Sequence, residues 1–231
     1  MKSISDIKHA FYINLERRPD RKEYVENQLK LVGINAERFN AIQMQNGAIG
    51  CSRSHLTILE TAKANNWDHV LIVEDDILFT NPSLFVNQFN KFLSTHDDFD
   101  VVLIAGNNIP PYKPIDDTCV QVQHCQTTTG YLIKNHYYDK LIENYRNGIY
   151  FQMSNPNQRG YYAIDRYWFG LQSVDKWYLI IPLTVAQRED FSDIENMPTN
   201  YISAMLDLDK QVFLNRKRAY EKMKEMGKLN F

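Results

Sequence analysis

The sequence predicts an α/β fold in which a Rossmann-like, mixed and mainly parallel sheet is flanked by helices. The first observation is that apolar runs typical of strands alternate with helical patterns from the start of the chain to Ala105. Such alternation is typical of parallel strands that are joined by helices. The second observation is a change of rhythm at Gly106, after which two strand-like runs follow each other without a helix between them. We therefore expect the sheet to become mixed there.

The elements of the first part follow from local patterns. Tyr24, Val25 and Leu29 recur at helical spacing, and Asn81 followed by Pro82 is typical of an N-cap and a first helical position. The predicted strands are His9–Leu15, Glu37–Ile42, His69–Val73 and Val101–Ala105, and the predicted helices are Pro19–Leu31, Ser52–Ala64 and Pro82–Leu93. Together they predict three units of strand and helix followed by a fourth strand.

The elements of the second part begin after a loop that contains three prolines, Pro110, Pro111 and Pro114. The predicted strands are Cys119–Cys125, Gly130–Lys134 and Trp177–Ile181, and the predicted helices are Asn135–Tyr145, Asp165–Val174 and Leu206–Lys228. The chain has 231 residues, is 44% hydrophobic and shows no long linker. It therefore predicts a single domain over residues 1–231, in which residues 198–231 form a C-terminal helical extension.

Composition and charge exclude several classes of protein. The formal net charge of −2 argues against a nucleic-acid partner, because domains that neutralise many phosphates are usually basic. Three cysteines are poor material for a disulfide framework and indicate a reducing compartment. No segment resembles a signal peptide or approaches the roughly 20 apolar residues of a transmembrane helix. We therefore expect a cytoplasmic protein without a transmembrane segment.

The end of the chain carries a surplus of basic residues after Leu208. A basic helix of this kind can contact an anionic membrane or a glycolipid at the surface. The alternative is a solvated charged helix, which such patterns more often form. Peripheral membrane contact is therefore one open prediction for this segment.

The most informative acidic motif is Glu74-Asp75-Asp76, which directly follows the buried strand ending at Val73. In an open α/β sheet, ligands bind beyond the carboxyl ends of the strands. Three neighbouring carboxylates repel one another, and a divalent cation with oxygen-preferring ligands makes the arrangement tolerable. The motif therefore predicts a metal site, with a surface acidic turn as the alternative.

Three arginines, Arg17, Arg18 and Arg21, lie where the first strand gives way to the first helix. Positive charge at a helix N-terminus opposes the helix dipole by about 0.3–1 kcal/mol per group. A bound phosphate would remove this conflict, because free N–H groups and guanidinium groups bind it together. The alternative is that Asp20 and Glu23 neutralise the arginines in a solvated first turn.

The stretch Gly47–His55 ends a loop and opens the second predicted helix, with Ser52 or Ser54 as its expected cap. His55 would then lie near the edge of the sheet, although a single histidine in a helix is more often an ordinary packed residue than a ligand. Cys51 is interpreted as a small buried hydrophobic residue, since no base for a nucleophile can be identified beside it.

Four short motifs occur in one order along the chain. They are Ile13-Asn14-Leu15 with Arg17-Arg18-Pro19-Asp20-Arg21, then Gly50-Cys51-x-x-Ser54-His55, then Val73-Glu74-Asp75-Asp76, and finally Ser192-Asp193-Ile194. Together they resemble glycosyltransferase family 25, which includes bacterial lipooligosaccharide galactosyltransferases and collagen hydroxylysine galactosyltransferases. Each motif is unspecific alone, whereas four in this order, over about residues 9–195, are specific.

The resemblance implies a GT-A-like fold, a UDP-sugar donor, a divalent metal such as Mn²⁺ or Mg²⁺, and inversion at the anomeric carbon. Glu74 and Asp76 would act as the DxD-like metal ligands. The residues that would contact or support the nucleotide are Asn14, Arg17, Arg21, Ser54, His55, Glu74 and Asp75. A metal that neutralises a departing diphosphate supplies the electrostatic stabilisation that this transfer mainly needs.

An inverting transfer also needs a base for the acceptor hydroxyl. Asp165 is the favoured candidate, because it precedes an aromatic-rich helix on which a sugar ring could stack. Its alternative role is that of a helix N-cap. Asp193 is the competing candidate for the base, and it could equally contact the metal or the sugar. Thr129-Gly130-Tyr131 resembles the family's segment near the donor sugar, with a purely structural strand start as the alternative.

The predicted function is the transfer of a hexose to a hydroxyl group on a glycan, a glycolipid or a protein. The sequence leaves open whether the hexose is galactose, glucose or an N-acetylated sugar, and a role in lipopolysaccharide biosynthesis is expected from the bacterial relatives. The alternative is a member of the family that has lost catalysis and binds a glycan or a protein.

Overall fold

The computed structural model describes residues 1–158, 160–211, 214, 215 and 218. The strands are β1 (Ala10–Asn14), β2 (Glu37–Asn40), β3 (His69–Glu74), β4 (Ile77–Phe79), β5 (Val101–Leu103), β6 (Asn107–Asn108), β7 (Tyr112–Pro114), β8 (Cys119–Val122), β9 (Cys125–Gln126), β10 (Gly130–Lys134), β11 (Trp177–Ile180), β12 (Val185–Gln187), β13 (Asp190–Ser192) and β14 (Met197–Thr199). The α-helices are α1 (Pro19–Leu31), α2 (Gly47–Ala64), α3 (Pro82–Thr95), α4 (Tyr138–Ser154), α5 (Ile164–Tyr167), α6 (Phe169–Gln172) and α7 (Ile202–Met205). Short 3₁₀ turns lie at Ile4–Asp6, Asn135–Tyr137 and Pro156–Gln158.

The central sheet has eight strands in the order β2-β1-β3-β10-β5-β11-β8-β7. Strands β2, β1 and β3 are parallel, β10 is antiparallel to both of its neighbours, and β5 is parallel to β11. Strand β8 is antiparallel to both β11 and β7, so every strand except β8 and β10 runs in one direction. The predicted mixed and mainly parallel sheet flanked by helices is therefore confirmed, and the change to mixed pairing begins after Gly106, as the sequence predicted.

Helices cover both faces of this sheet. Leu71 and Val73 of β3 pack in one hydrophobic cluster with α1 and α3, whereas Val70 and Ile72 pack in a second cluster with α2 and α4. This alternation is the two-residue period of a strand that is buried on both faces. Aromatic residues of α3 that are fully buried in the first cluster are Phe85, Phe89 and Phe92, and each such burial stabilises the fold by about 2–3 kcal/mol.

Helix α2 begins at Gly47, five residues before the predicted start, because the side chain of Asn46 accepts a hydrogen bond from the Ala48 N–H at 3.2 Å. The prediction that Ser52 or Ser54 caps this helix is wrong. The Ser54 hydroxyl donates to the Gly50 carbonyl at 2.9 Å and accepts from the Ile42 N–H at 2.8 Å. It therefore ties the preceding loop to the helix from inside the second turn.

Three other predicted elements have different bounds in the structure. Helix α4 runs to Ser154, nine residues beyond the predicted end at Tyr145. The predicted helix Asp165–Val174 is divided into α5 and α6, and Ala163, not Asp165, occupies the N-cap position of α5. The predicted strand Cys119–Cys125 is divided into β8 and β9, because side chains of the α6 region take over the hydrogen bonds of Cys125.

The predicted C-terminal helix at Leu206–Lys228 falls mostly outside the described residues. At the start of the predicted extension, the described residues form strand β14 and the short helix α7. Within the part of the chain that is described, no helix combines the length and the apolar character needed to cross a membrane. The cytoplasmic location and the peripheral membrane contact stay predictions.

One pairing that the sequence did not predict brings a distant segment to the acidic motif. Strand β4 follows Asp76 directly and pairs antiparallel with β12, so that Gln187 lies opposite Ile77. The Arg188 N–H donates to the Asp76 carbonyl at 2.8 Å. Residues 187–193 are thereby held against the carboxyl ends of β1 and β3.

Candidate active site

The candidate site lies where the adjacent parallel strands β1 and β3 end. Asn14 is the last residue of β1, and its neighbour Ile13 pairs with Glu74, the last residue of β3. The Asn14 side-chain amide donates to Asp75 Oδ2 at 2.7 Å. The structure thus brings together at one edge of the sheet residues that the sequence placed in separate motifs, as expected for the ligand-binding edge of an α/β sheet.

Asp75 is directed toward the first strand and the first helix. Its side chain is only 10% exposed, and Oδ1 accepts from Arg21 Nη1 at 2.9 Å. Burial raises the pKa of Asp75, although the neighbouring Arg21 charge opposes this rise. Because both carboxylate oxygens have protein partners, Asp75 positions the Arg21 side chain and the turn. Its predicted contact with the nucleotide stays a prediction.

Glu74 is the best-bonded carboxylate of the motif. Its Oε1 accepts from Thr128 Oγ1 at 2.7 Å and lies 3.4 Å from His55 Nε2, while Oε2 accepts from Gln187 Nε2 at 3.3 Å. Burial alone would raise the pKa of Glu74, but the hydrogen bonds from His55 and Thr128 outweigh it and lower this pKa. Glu74 is therefore an anion in the folded protein at neutral pH.

Cys51 and His55 approach the same carboxylate from α2. The Cys51 thiol lies 3.6 Å from Glu74 Oε1, and His55 Nδ1 is 2.7 Å from the Tyr131 hydroxyl. One ligand atom from each of Cys51, His55 and Glu74 lies within 4.8 Å of the other two, so this set could hold a metal ion. Burial raises the pKa of Cys51 well above its usual value, and the thiol is therefore a poor nucleophile.

Asp76 differs from its two neighbours, because its Oδ1 is buried without a hydrogen-bond partner among the described residues. The other oxygen lies 3.7 Å from Arg21 Nη1. Burial, together with the charge of Glu74, raises the pKa of Asp76. An orphaned buried carboxylate oxygen beside an ionised carboxylate fits a cation, because a cation would satisfy the oxygen and favour its ionised form.

Two further polar atoms beside Asp76 are also buried without a hydrogen-bond partner in the described part of the chain, the Tyr24 hydroxyl and Arg188 Nε. The Arg188 guanidinium stacks 4.3 Å from the centre of the Tyr24 ring. Native proteins leave few such groups unpaired, so their concentration at one place indicates space for a polar ligand.

The arginines around the start of α1 are paired with acids from the distant segment that follows β12. Arg17 Nη2 binds Asp193 Oδ1 at 2.6 Å, and Arg18 Nη1 binds the other oxygen of Asp193 at 2.8 Å. Asp190 Oδ2 accepts from Arg18 and Arg21, each at 3.0 Å, and from a third guanidinium at 2.7 Å. The carboxylates of this segment therefore neutralise the arginine tract, which the sequence did not predict, and the phosphate site stays a prediction.

The electrostatics of these two acids follow from the pairing. Burial opposes the ionisation of Asp190, but the Phe191 N–H and the guanidinium groups outweigh it and lower the pKa of Asp190 to about 2. The same opposition of burial and guanidinium hydrogen bonds lowers the pKa of Asp193. Of the two acids proposed to neutralise the tract locally, Asp20 is confirmed as a partner of Arg18 at 2.9 Å.

Asp165 lies near Glu74, and we call this buried part of the site, which includes Asp76, its inner side. Its Oδ2 accepts from the Thr127 N–H at 3.2 Å. Burial raises the pKa of Asp165, and the nearby charge of Glu74 contributes to the rise. The structure thus brings Asp165 electrostatically close to the metal-binding candidate Glu74, whereas Asp193 lies in the arginine cluster.

The remaining sequence-predicted residues have mainly structural surroundings. Ser54 is fully buried and bonds only backbone groups, so its nucleotide contact stays a prediction. Gly130 begins β10 at a point where a side chain would lie 2.7 Å from Ile104 Cγ1. The sequence did not identify Tyr24, Thr128 and Arg188 as residues of the site. Arg188 stands in the charged run from Gln187 to Asp193, and this run was the available signal.

Part of this chain is similar in sequence to known proteins. Residues 43–155 match the family model described as Glycosyltransferase family 25 (LPS biosynthesis protein). A protein of Drosophila pseudoobscura pseudoobscura named "Glycosyltransferase 25 family member" is 26% identical over 54% of this chain, and a protein of that name from Aedes aegypti is 32% identical over 32% of it. These alignments cover 25% and 17% of the two relatives, so the chain spans a quarter or less of their length.

Two solved structures are similar at 10% sequence identity. One is a mannose-1-phosphate geranyltransferase from Thermus thermophilus, with a TM-score of 0.46 and with 78% of this chain and 74% of that chain covered. The other is a glycosyltransferase involved in the glycosylation of the major capsid of PBCV-1, with a TM-score of 0.42 and with 86% and 88% covered.

Proposed function

Because this chain belongs to glycosyltransferase family 25, we propose that it transfers a hexose from a UDP-sugar to a hydroxyl group of an acceptor. The acceptor would be a glycan, a glycolipid or a protein. The observation that supports this proposal most directly is the buried, unpartnered Oδ1 of Asp76 beside the ionised Glu74. This arrangement fits a site that binds a divalent cation.

Glu74 and Asp76 would hold the cation, since Mn²⁺ and Mg²⁺ prefer carboxylate oxygens to thiol ligands. When bound, the metal would neutralise the diphosphate of the donor and of the departing UDP. The alternative ligand set of Cys51, His55 and Glu74 shares the Glu74 carboxylate but presents a protonated thiol. Oxygen preference therefore favours the pair of acids.

The arginines around the start of α1 would bind the diphosphate from the other side. Asp193 pairs with both Arg17 and Arg18, and Arg17 is 49% exposed. The N-terminus of a helix also offers free N–H groups to an anion. Arg21 is fixed between Asp75 and Asp190 and is the least exposed of the three. Phosphate oxygens would exchange with carboxylate oxygens as acceptors of the same guanidinium groups.

Asp165 would accept the proton of the acceptor hydroxyl. As this proton moves to the carboxylate, the hydroxyl oxygen forms a bond to the anomeric carbon, and the bond from that carbon to the UDP oxygen breaks. Burial and the neighbouring Glu74 raise the proton affinity of Asp165, as a base at neutral pH requires. Attack on the face opposite to UDP would invert the anomeric centre.

Thermal unfolding against a panel of nucleotide sugars tests this proposal. UDP-galactose, UDP-glucose and UDP-N-acetylglucosamine would each be added with and without Mn²⁺. Ligand at about 100 times its Kd stabilises a folded protein by about 2.7 kcal/mol, so a manganese-dependent rise in Tm of about 5–10 °C is expected with one donor.

Two variants sharpen this test. Asp76→Ala should lose the manganese-dependent part of the shift, whereas Asp20→Ala should keep it, because Asp20 is 54% exposed and its ion-pair partner is Arg18, not a proposed metal ligand. If folded wild-type protein shows no shift with any of the three donors, the transferase proposal fails and the non-catalytic binding module takes its place.

A further inference from the structure

A second cluster of metal-ligating side chains lies away from the candidate active site. His96 directly follows α3, Asp116 lies in the turn before β8, and Cys119 is the first residue of β8. Strands β10, β5 and β11 separate β8 from β3 in the sheet. At about 4.8 Å per strand, the cluster is about 19 Å from the acidic motif.

The spacing of the three side chains is close to that of ligands around one zinc ion. His96 Nε2 lies 2.7 Å from Asp116 Oδ2, and Cys119 Sγ lies 4.0 Å from His96 Nε2 and 3.9 Å from Asp116 Oδ1. Tetrahedral zinc bond lengths separate a sulfur ligand from a nitrogen or oxygen ligand by about 3.6 Å, and nitrogen from oxygen by about 3.3 Å. One ligand atom of each residue already lies within 4.8 Å of the other two, so shifts of about 1 Å would complete the geometry.

The surrounding structure holds each ligand in place. Asp116 Oδ1 accepts from the Thr118 N–H at 2.7 Å and from the Thr118 hydroxyl at 2.6 Å, which leaves Oδ2 directed at the imidazole. The His96 ring stacks on Phe92 with 4.9 Å between ring centres. Cys119 is fixed by its pairing with Ile180 of β11. Outer contacts of this kind orient the ligands of metal sites.

Exposure at the cluster provides access for an ion. The side chains of His96 and Asp116 are 20% and 37% exposed, while Cys119 is fully buried behind them. The buried thiol faces the imidazole and the carboxylate at distances too long for strong hydrogen bonds. An ion could therefore enter from the solvent side and reach the sulfur, with a water molecule as a fourth ligand.

We propose that His96, Asp116 and Cys119 form a zinc site that is separate from the proposed transferase site. The combination of nitrogen, oxygen and sulfur ligands suits Zn²⁺, whereas Mn²⁺ and Mg²⁺ prefer oxygen alone. On binding, the thiol releases its proton to solvent and the sulfur binds the metal as thiolate. The bound ion ties the end of α3 to β8 and to the turn between β7 and β8.

Titration with Co²⁺, a spectroscopic substitute for zinc, tests this site directly. Cobalt bound by a thiolate gives a charge-transfer band together with visible bands that report four-coordination. The variant Cys51→Ser serves as the background, because it removes the thiol of the other possible metal cluster. We expect Cys51→Ser to bind one equivalent of Co²⁺ with a thiolate band, and Zn²⁺ to displace it.

Two variants made in this background decide the assignment. Cys119→Ser should abolish the thiolate band, and His96→Gln should weaken Co²⁺ binding at least about tenfold, because glutamine keeps a hydrogen bond to Asp116 but is a poor ligand. If Cys51→Ser lacks the band, or if Cys119→Ser retains it, the proposal is overturned, and the three residues form only an ion pair packed on a buried thiol.

The test also needs a control that separates loss of metal binding from loss of folding. Cys119 is buried, so Cys119→Ser could destabilise the fold, and circular dichroism melts without metal would show this. His96 is partly exposed, and its replacement should leave the metal-free melt unchanged. In that case, the result with His96→Gln decides, since a zinc-induced rise in Tm that survives in this variant contradicts the site.

Discussion

The pKa values of aspartates shift in opposite directions on the two sides of the candidate active site, the arginine cluster on the outer side and the buried surroundings of Asp76 and Asp165 on the inner side. On the outer side, guanidinium groups surround Asp190 and Asp193 and lower the pKa of both acids. On the inner side, burial and the charge of Glu74 raise the pKa of Asp76 and Asp165. Asp190 and Asp193 are thus fixed anions with structural partners, whereas Asp76 and Asp165 have high proton affinity.

This difference separates the two candidates for the catalytic base. Each carboxylate oxygen of Asp193 accepts a hydrogen bond from an arginine, at 2.6 and 2.8 Å. A carboxylate held in this way binds a proton weakly and has little freedom to approach an acceptor hydroxyl. Asp165 accepts one backbone hydrogen bond and has a raised pKa. We therefore take Asp165 as the proposed base and Asp193 as a partner of the arginines.

The largest expected effect comes from the inner side, in the variant Asp76→Ala. Manganese-dependent UDP release with the donor found in the panel should fall below detection, because the variant removes a proposed metal ligand. Its metal-free Tm should not fall. A folded-state pKa above the unfolded value means that Asp76 costs the fold stability at pH 7, because its ionised form is disfavoured in the folded protein.

Full activity in Asp76→Ala would contradict the proposed difference between the inner and outer acids. Asp20→Ala is the matched control, since Asp20 is 54% exposed and lies beside the arginines of the outer side. Equal losses of activity in both variants would mean that the inner acid has no special role.

The second largest effect is expected on kcat, in a comparison of the variants Asp165→Asn and Asp193→Asn. Loss of a general base should lower kcat by about 10²–10⁴-fold in Asp165→Asn. The donor-induced Tm shift should persist in this variant, because the nucleotide contacts remain. Asp193→Asn should keep kcat within about tenfold of the wild-type value. Single-turnover kinetics would measure both, and the reverse order of effects would make Asp193 the base.

The third effect concerns stability on the outer side. Asp190→Asn removes a carboxylate that is only 18% exposed and binds three guanidinium groups. Its pKa of about 2, against an ordinary value of 3.8, corresponds to about 2 kcal/mol of folding free energy at pH 7. Urea unfolding at pH 7 should show a loss of this order in the variant.

The pH dependence of this loss has a definite sign. Because the folded-state pKa of Asp190 is lowered, its stabilisation is present above about pH 4 and is lost as the pH falls toward 2. Unfolding curves of wild type and Asp190→Asn should therefore converge over this range. A difference that stays constant down to pH 2 would contradict an ionic origin.

The smallest effect is expected for Asp20→Asn, which removes an exposed partner of Arg18. Exposed ion pairs usually contribute less than about 1 kcal/mol, and salt screens them. Urea unfolding should show a loss below this limit that disappears in 1 M NaCl. A loss equal to that of Asp190→Asn would mean that burial does not distinguish the two acids.

Much of the fold could be predicted from local sequence, because strands buried on both faces and helices with clear periodicity carry their own signals. His69–Val73 and Pro19–Leu31 are examples whose predicted positions the structure reproduces closely. The start of α2 was predicted late because Gly50 reads as a loop residue. In the structure it lies inside the helix, where any side chain would clash with the Ile42 carbonyl. A helical glycine with this role has no local signature.

The positions of the acidic residues of the site could be predicted from the sequence, but the residues that contact them could not. Glu74 and Asp76 stand at a strand end that periodicity defines, so the sequence predicts where they lie. The pairing of β4 with β12 is a contact between segments more than 100 residues apart, and no local pattern specifies it. Local patterns therefore do not place Arg188 or Asp190 beside the acidic motif, and the charged run that ends at Asp193 was the one signal for this segment.

The separation of the two charged segments along the chain has a consequence for the order in which the site is built. Arg18 precedes Asp190 by 172 residues. During synthesis, the arginine tract and the acidic motif leave the ribosome early, and the carboxylates that bind Arg17 and Arg18 leave it late. A nascent chain that stops before β12 has the early acids Asp20 and Asp75 as partners for its arginines, and the arrival of the later segment adds Asp190 and Asp193.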